Sequence, residues 1–560
     1  MSYVPENALI VQSDRSVLLE VHAPTAAAAR DAIAPFAELV KSPEHIHTYQ
    51  MTPLSIWNAR AAGMSIDAII AALQQYAKYP VPDAITQDIA ALGNRYGLTR
   101  IERSDKDDLP GLVLHIADPP LAELLSREDK VAPLLGKRLS NVTFWVDAGL
   151  RGLLKQALVT VGYPAEDIAG YIKGDALSIQ LRDTTKAGDP FVLRHYQQEA
   201  ADIFYQAGRE QGGSGVIVLP CGAGKTIVGM AAMAAVQENT LVLTTSLTSV
   251  RQWHRELLDK TDLPENAIAE YSGERKATAP VTLATYQILT YRPNRDADFL
   301  HFGLFSARNW GLIVYDEVHL LPAPVFRVTA ELQARRRLGL TATLIREDGL
   351  ESDVFALIGP KRYDVPWREL EGQGFIAAAD CTEIRIPQTE ERQMEYALAS
   401  RRLKFRIAAE NPRKLDVVQE LLVQEAGHRV LIIGEYIDQI KGVAEATGLP
   451  LVMGKTSQKQ RDKLYQQFRD GEIQGLVLSR VGNFALDLPD ADTLIQISGK
   501  YGSRQEEAQR LGRVLRPKSD GGRARFYTLV SLRTCEEDFA RHRQLFLTEQ
   551  GYSYELKILD

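Results

Sequence analysis

The chain has 560 residues, with 65 Lys and Arg against 72 Asp and Glu, a formal net charge of −7, 45% hydrophobic and 24% charged side chains. At roughly 150 residues per domain this is length for roughly three to four domains, and the ordinary globular mix excludes a disordered or collagen-like chain. A uniformly basic surface is excluded too, so any contact with nucleic acid must come from local patches. Residues 1–190 hold 18 basic and 23 acidic side chains, so most of the acidity lies in the first third. Three cysteines, Cys221, Cys381 and Cys535, are too few for a four-cysteine metal site and do not suggest a disulfide framework. Met1–Asp14 has no signal-peptide pattern, and no apolar run approaches about 18 residues. The expectation is a cytoplasmic protein with no membrane partner.

In chain order, Val17–Val21 reads as a strand. An Ala-rich helix is expected from about Thr25 to Lys41, interrupted at Pro35. Thr52-Pro53 opens a helix, and Ser65–Tyr76 carries Ile66, Ile69, Ile70 and Leu73 at helical spacing. Tyr79-Pro-Val-Pro82 breaks the pattern, and Ile101–Ser178 holds short strand and helix candidates without a catalytic signature. Polar Asp183–Pro190 reads as a linker. Beyond it, apolar runs at Val216–Leu219, Leu241–Thr244, Val281–Ala284 and Leu312–Tyr315 alternate with helical segments. A second series follows at Arg429–Ile433, Leu451–Met453, Gly475–Leu478 and Thr493–Ile497. The alternation predicts two α/β units with parallel sheets behind a mixed domain.

The strongest chemical signal is Val216-Ile-Val-Leu-Pro-Cys-Gly-Ala-Gly-Lys-Thr226, a strand, a Gly-containing turn and a helix opening at Lys225. Gly222, Ala223 and Gly224 let the backbone curl so that its N–H groups face phosphates. Lys225 neutralises β/γ-phosphate charge, and the Thr226 hydroxyl suits Mg²⁺. The strict phosphate-loop pattern has glycine where this chain has Leu219. About 90 residues on, Gly311-Leu-Ile-Val-Tyr-Asp316-Glu317-Val-His319 delivers two carboxylates at the end of an apolar strand. Asp316 suits Mg²⁺, and Glu317 suits orienting and deprotonating an attacking water. Together the two segments point to a nucleoside-triphosphate hydrolase.

The order and wording of the motifs resemble superfamily two helicases, and among them the XPB family. Arg194-His-Tyr-Gln197 resembles the adenine-reading motif, which makes Arg194 and Gln197 nucleotide contacts by resemblance. Asp316-Glu-Val-His319 resembles the DEAH-type box and places His319 at the nucleotide site. Gly339-Leu-Thr-Ala-Thr343 resembles the motif coupling hydrolysis to domain movement, and Arg346-Glu347-Asp348 resembles the RED motif linked to duplex opening. Gln509-Arg-Leu-Gly-Arg513-Val-Leu-Arg516 resembles the arginine-finger motif, with Gln509 at the nucleotide. Arginines supplied in this way accelerate phosphoryl transfer by about 10³–10⁵ in related systems. Asp487 resembles a nucleotide-sensing position, with a loop cap as the alternative. The resemblance spans about Arg194 to Phe546, and the first 100 residues are similar to the N-terminal domain of bacterial members.

The fold this implies is a pair of RecA-like parallel-sheet motor domains behind a mixed α/β domain, with boundaries near 185 and 370. Thr245, Ser246, Arg251, Thr285, Tyr286 and Ser479 stand where helicase motifs bind the sugar–phosphate backbone. Trp253 fits a core position better than a stacking platform. Residues 389–411 form a charged helical stretch where the family carries a thumb-like insertion that grips DNA; a solvated face is the alternative. The implied function is an ATP- and Mg²⁺-dependent DNA helicase, 3′→5′ by resemblance, serving repair or transcription-linked remodelling. A double-strand translocase, an ATP-gated scaffold and an RNA helicase are the alternatives. DNA at single-strand/duplex junctions is the expected partner of a monomeric chain, nucleoid-associated when bound. A nuclease or repair protein is a further candidate partner for residues 1–185. His45 and His47 read as structural, and Cys221 as a residue open to oxidative inhibition.

Overall fold

The computed structural model describes residues 3–41, 45–104, 111–171, 173–209, 212–220, 222–294, 299–321, 325, 336–342, 351–365, 367–479, 491–499, 507, 510–512, 514, 522–550, 552 and 554–559. The chain divides into two compact units, residues 1–219 with 224–364, and residues 365–560 with 220–223.

The first unit opens on a small antiparallel sheet of β1 (Leu9–Val11), β2 (Ser16–Glu20), β3 (Glu38–Lys41) and β4 (Ile46–Gln50), in the order β1-β2-β4-β3. The helix expected over 25–41 covers only Ala26–Ile33. Pro35 cannot continue its hydrogen-bond ladder, and the chain beyond it pairs with β4 as β3. Thr52 caps the next helix, Pro53–Ala61, with a reciprocal bond to Ser55, and Pro53 occupies the first turn, where no N–H is needed. Ser65 caps Ile66–Tyr76 through the N–H of Ala68. A second, mixed sheet follows: β5 (Thr99–Arg103), β6 (Leu112–Ile116), β7 (Arg138–Ser140), β8 (Thr143–Val146) and β9 (Glu166–Asp167), ordered β7-β8-β6-β5-β9.

The large sheet of this unit contains β10 (Ser214–Val218), β11 (Thr240–Thr244), β12 (Ile268–Tyr271), β13 (Val281–Thr285), β14 (Leu312–Asp316), β15 (Arg336–Thr341) and β16 (Lys361–Asp364). Its order is β12-β13-β11-β14-β15-β10-β16, and every neighbouring pair is parallel. Helices cover both faces, so the strands read as continuous apolar runs: Ile217, Val242, Leu283, Ile313 and Val314 are all fully buried. Each such side chain contributes about 1.5–3 kcal/mol by leaving water.

The N-terminal elements are fastened to this sheet. Asn58 Oδ1 accepts from the N–H of Lys361 on edge strand β16 at 3.3 Å, and Arg362 donates to the Ala61 carbonyl. Gln156, on the helix Arg151–Thr160, bonds Asp353 on the helix Glu351–Leu357. The segment expected as a linker is itself bonded in place. Lys186 N–H donates to Asp259, Arg182 N–H to the Lys260 carbonyl, and Thr184 bridges Pro190. Main-chain N–H groups here donate to the end of a neighbouring helix, which composition alone does not distinguish from a solvated tether.

Beneath the second sheet, Arg151 holds Asp167 through two bonds of 2.9 and 2.6 Å, and Lys155 Nζ lies 3.1 Å from the same carboxylate. Burial alone would raise the Asp167 pKa, but Arg151 and then Lys155 hold it well below the usual carboxylate range. Removing this charge leaves two buried cations uncompensated. Asp167→Asn is therefore expected to destabilise the first unit by about 3–5 kcal/mol. Urea denaturation of the full chain checks this, and an unchanged midpoint would show the network to be dispensable.

The second unit contains a seven-stranded sheet, again parallel at every neighbouring pair: β17 (Ala379–Ile386), β18 (Val430–Ile433), β19 (Leu451–Val452), β20 (Gly475–Leu478), β21 (Thr493–Gln496), β22 (Ala524–Ser531) and β23 (Tyr554–Ile558). The order is β19-β20-β18-β21-β22-β17-β23. The charged stretch expected over 389–411 is two helices, Glu390–Leu398 and Arg401–Ala409, the first with no buried residue. Arg392 pairs with Glu395 at 2.7 Å and Arg406 with Glu410 at 3.0 Å. Two parallel-sheet units behind a mixed α/β region match the fold class expected from the sequence. No helix among the described residues is long and apolar enough to cross a membrane.

Candidate functional site

The site lies at the carboxyl edge of three adjacent strands, β14, β15 and β10. Neighbouring strands stand about 4.8 Å apart, so the ends of β14 and β10 are about 10 Å apart, with the end of β15 between them. From β10 the chain enters a turn in which Gly222 and Gly224 take φ of +84° and +82°. The helix Lys225–Val236 begins directly after Gly224. A Cβ at position 224 would also lie 2.5 Å from Gln197 Nε2, so the Gln197 side chain packs directly over this glycine. Ala223 is buried, Gly222 is exposed, and the helix turns its first N–H groups and the positive end of its dipole toward the turn.

Gln197 stands in the first turn of the helix His195–Tyr205, and its Oε1 accepts from the Arg194 N–H at 3.0 Å. The Arg194 guanidinium donates to the Tyr196 hydroxyl at 3.1 Å. The two residues expected at the base are thus tied to each other, with Gln197 against the phosphate turn.

Across β15, strand β14 ends on Asp316. Glu317 follows with φ of +51°, a left-handed conformation that costs a non-glycine residue about 1–3 kcal/mol. That turn brings Glu317 Oε1 within 3.5 Å of Lys225 Nζ. Desolvation, with the Glu317 charge adding to it, pushes the Asp316 pKa up to about 6; the Trp253 N–H and Lys225 act in the opposite direction. Among the described residues, Lys225 is the ammonium that lies beside these two carboxylates. The Thr226 hydroxyl and Asp316 are hard oxygen donors of the kind that hold Mg²⁺, which in phosphate sites takes one or two protein oxygens and completes its shell with phosphate and water. The donor set fits that ion together with a bound triphosphate. It does not build a cage of protein ligands, since no group of three or more His, Cys, Asp or Glu side chains among the described residues could hold a metal.

His319, expected at the nucleotide, is 4% exposed. Its Nδ1 meets Thr341 Oγ1 at 2.5 Å and lies 3.5 Å from Glu317 Oε2. It therefore links the carboxylate pair to the end of β15, where the motif Gly339–Thr343 begins. Sequence reasoning did not place Trp253 at this site. The indole is 1% exposed, and its Nε1–H donates to Asp316 Oδ2 at 3.0 Å. A buried indole N–H requires an acceptor, and that requirement is the signal that could have pointed to it.

The residues expected on nucleic acid divide. Thr245 and Ser246 follow β11 and Thr285 ends β13; these strands are paired, Thr244 opposite Thr285. The hydroxyls of Ser246 and Thr285 cap the helices Leu247–Lys260 and Tyr286–Leu289, accepting from the N–H groups of Ser249 and Ile288. Tyr286, expected as a contact, is instead buried, and its hydroxyl donates to the Asp316 carbonyl at 2.9 Å. Arg251 is exposed and paired with Glu274 at 2.9 Å. Ser479 is buried at the end of β20, its N–H donating to the Val452 carbonyl. Arg346, Glu347, Asp348, Asp487, Gln509, Arg513, Arg516 and Cys221 lie outside the described residues.

The profile of the family described as ERCC3/RAD25/XPB C-terminal helicase matches residues 370–559. Profiles described as type III restriction enzyme, res subunit, and as helicase conserved C-terminal domain match residues 190–346 and 9–140. A protein of Kineococcus radiotolerans named DNA 3′-5′ helicase XPB is 53% identical over 98% of this chain and 96% of its own length. The protein of the same name from Mycobacterium tuberculosis is 50% identical over 99% and 98%. In Saccharomyces cerevisiae the general transcription and DNA repair factor IIH helicase/translocase subunit XPB/SSL2 is 32% identical, covering 98% of this chain and 71% of that protein. Identity at this level along nearly the whole length, on a chain whose phosphate turn and carboxylate pair face one another across β15, means that the chain belongs to the XPB family of DNA helicases.

Proposed function

We propose that this chain is an ATP-driven DNA helicase that moves 3′ to 5′ and serves repair or transcription-linked remodelling. The observation carrying the reading is the alignment of Lys225 with Asp316 and Glu317 across three neighbouring strands, the arrangement that triphosphate hydrolysis requires. The turn at Gly222–Gly224 and the helix behind it would receive the phosphates, with Gln197 and Arg194 beside the base. Thr226 and Asp316 would hold Mg²⁺ with ATP, and that ion would supply positive charge against the phosphates. Glu317 would orient the attacking water and take its proton, and Lys225 would offset charge on the γ-phosphate. Arg513 and Arg516 would neutralise the remaining transition-state charge. The motor units extend, on this reading, over about 186–370 and 371–560, with residues 1–185 as an accessory region.

The name of the Saccharomyces relative, helicase/translocase, favours one second reading: travel along duplex DNA without net unwinding. ATP turnover by the full chain with no nucleic acid, with single-stranded DNA and with RNA tests the substrate. DNA is expected to stimulate turnover far more than RNA. Equal stimulation by RNA would remove the DNA assignment.

A further inference from the structure

Asp316 is gripped from two sides by groups that hydrolysis does not itself require. Trp253 Nε1–H donates to its Oδ2 at 3.0 Å, and the Tyr286 O–H donates to its main-chain carbonyl at 2.9 Å. Both rings are buried, at 1% and 3% exposure. A phenylalanine would fill either space with apolar surface. The chain places a donor at each instead, and both donors converge on one carboxylate residue.

Each donor is joined to a strand end that the sequence motifs assign to the sugar–phosphate backbone. Ser246 caps the helix Leu247–Lys260, and Trp253 stands seven residues further on, two turns along the same helical face. Tyr286 directly follows Thr285. These two strand ends are neighbours, because β11 pairs β13 in register, and β11 also pairs β14, which carries Asp316. The indole has a third contact. It lies so close over the phosphate-turn helix that a Cβ at Gly229 would be 2.4 Å from its Cη2. A shift of the helix Leu247–Lys260 therefore moves one rigid ring that touches both the helix behind the phosphates and the carboxylate.

We infer that Trp253 and Tyr286 are positioning residues that transmit occupancy of the Thr245–Ser246 and Thr285 segments to Asp316, so that DNA binding sets the geometry of the hydrolytic site. The inference rests on the functional reading above. Because coupling between two sites is reciprocal, nucleotide must change DNA affinity through the same two donors.

The test uses the full chain carrying Tyr286→Phe, which removes a single oxygen, and separately Trp253→Phe. Two quantities are read: the ratio of ATP turnover with saturating single-stranded DNA to turnover without it, and the ratio of DNA dissociation constants with and without a non-hydrolysable ATP analogue. Each variant is expected to lower the stimulation ratio about tenfold, and the nucleotide effect on DNA affinity should shrink with it. A merely structural role would lower the melting temperature and leave both ratios at their wild-type values, and that result overturns the inference. If Trp253→Phe does not fold, Tyr286→Phe alone decides. A wild-type chain that hydrolyses ATP without responding to DNA would overturn the functional reading, and the inference with it; a responsive wild type beside equally responsive variants overturns the inference alone.

Discussion

Lys225→Ala is expected to reduce DNA-stimulated ATP turnover by about 10²–10³-fold or more while the chain stays folded. The ammonium has two duties in this geometry. It is the cation nearest to where phosphate charge grows, and removing one such charge-stabilising group from a desolvated site costs about that factor. It is also the partner of Glu317 at 3.5 Å, so its loss leaves two adjacent carboxylates without their ammonium. Lys225 is the first residue of its helix and no part of the apolar core, so its truncation removes no core packing. Initial rates of phosphate release beside a thermal melt check both halves. Retained hydrolysis at an unchanged melting temperature would remove the phosphate-turn assignment.

Arg513→Ala is expected to lower turnover by about 10³–10⁵-fold while ATP binding changes little. The asymmetry follows from when the charge appears. In the ground state the triphosphate charge would be offset by Lys225 and by a Mg²⁺ held through Thr226 and Asp316, whereas the equatorial oxygens of the transferring group need a further positive charge only at the transition state. Turnover and nucleotide affinity measured on the same preparation separate the two. Equal losses in both would mean that Arg513 binds ground-state nucleotide.

The elements of the candidate site were legible in the sequence because they are local. A phosphate turn needs a strand, glycines able to take positive φ and a helix start within about ten residues, and Val216–Thr226 shows all of these, with Leu219 in place of the usual first glycine. The carboxylates at the end of Leu312–Asp316 were legible for the same reason. Strands marked by short apolar runs, such as β10, β11, β13 and β14, could be read within one or two residues. β15 could not, because it opens on Arg336 and Arg337. The fully buried Arg337 donates to Ser214 Oγ, and only the fold brings that partner to it. The helix expected to continue past Pro35 failed where tertiary pairing with β4 outweighed an Ala-rich composition.

What the sequence did not disclose is mostly the far end of hydrogen bonds. Trp253 was read as core, and it is core, but its N–H ends on Asp316. Tyr286 was read as a nucleic-acid contact from its place after a strand, and its hydroxyl turns inward to the same residue. Ser246 and Thr285 were read as contacts to the sugar–phosphate backbone, and their hydroxyls also accept from the first turns of two helices. For Trp253 and Tyr286 position along the chain was informative and direction was not, because their shared partner lies 63 and 30 residues away, whereas the caps made by Ser246 and Thr285 reach only three residues on.

The central claim, ATP-driven strand separation in the 3′-to-5′ direction, is tested most directly by displacement of a labelled strand from duplexes with a 3′ or a 5′ single-stranded tail. ATP-dependent release is expected from the 3′-tailed duplex, little from the 5′-tailed one, and none in the Lys225→Ala chain. Vigorous DNA-stimulated hydrolysis with no strand released from either duplex, beside ATP-dependent displacement of a triplex-forming strand, would contradict it and leave a double-strand translocase.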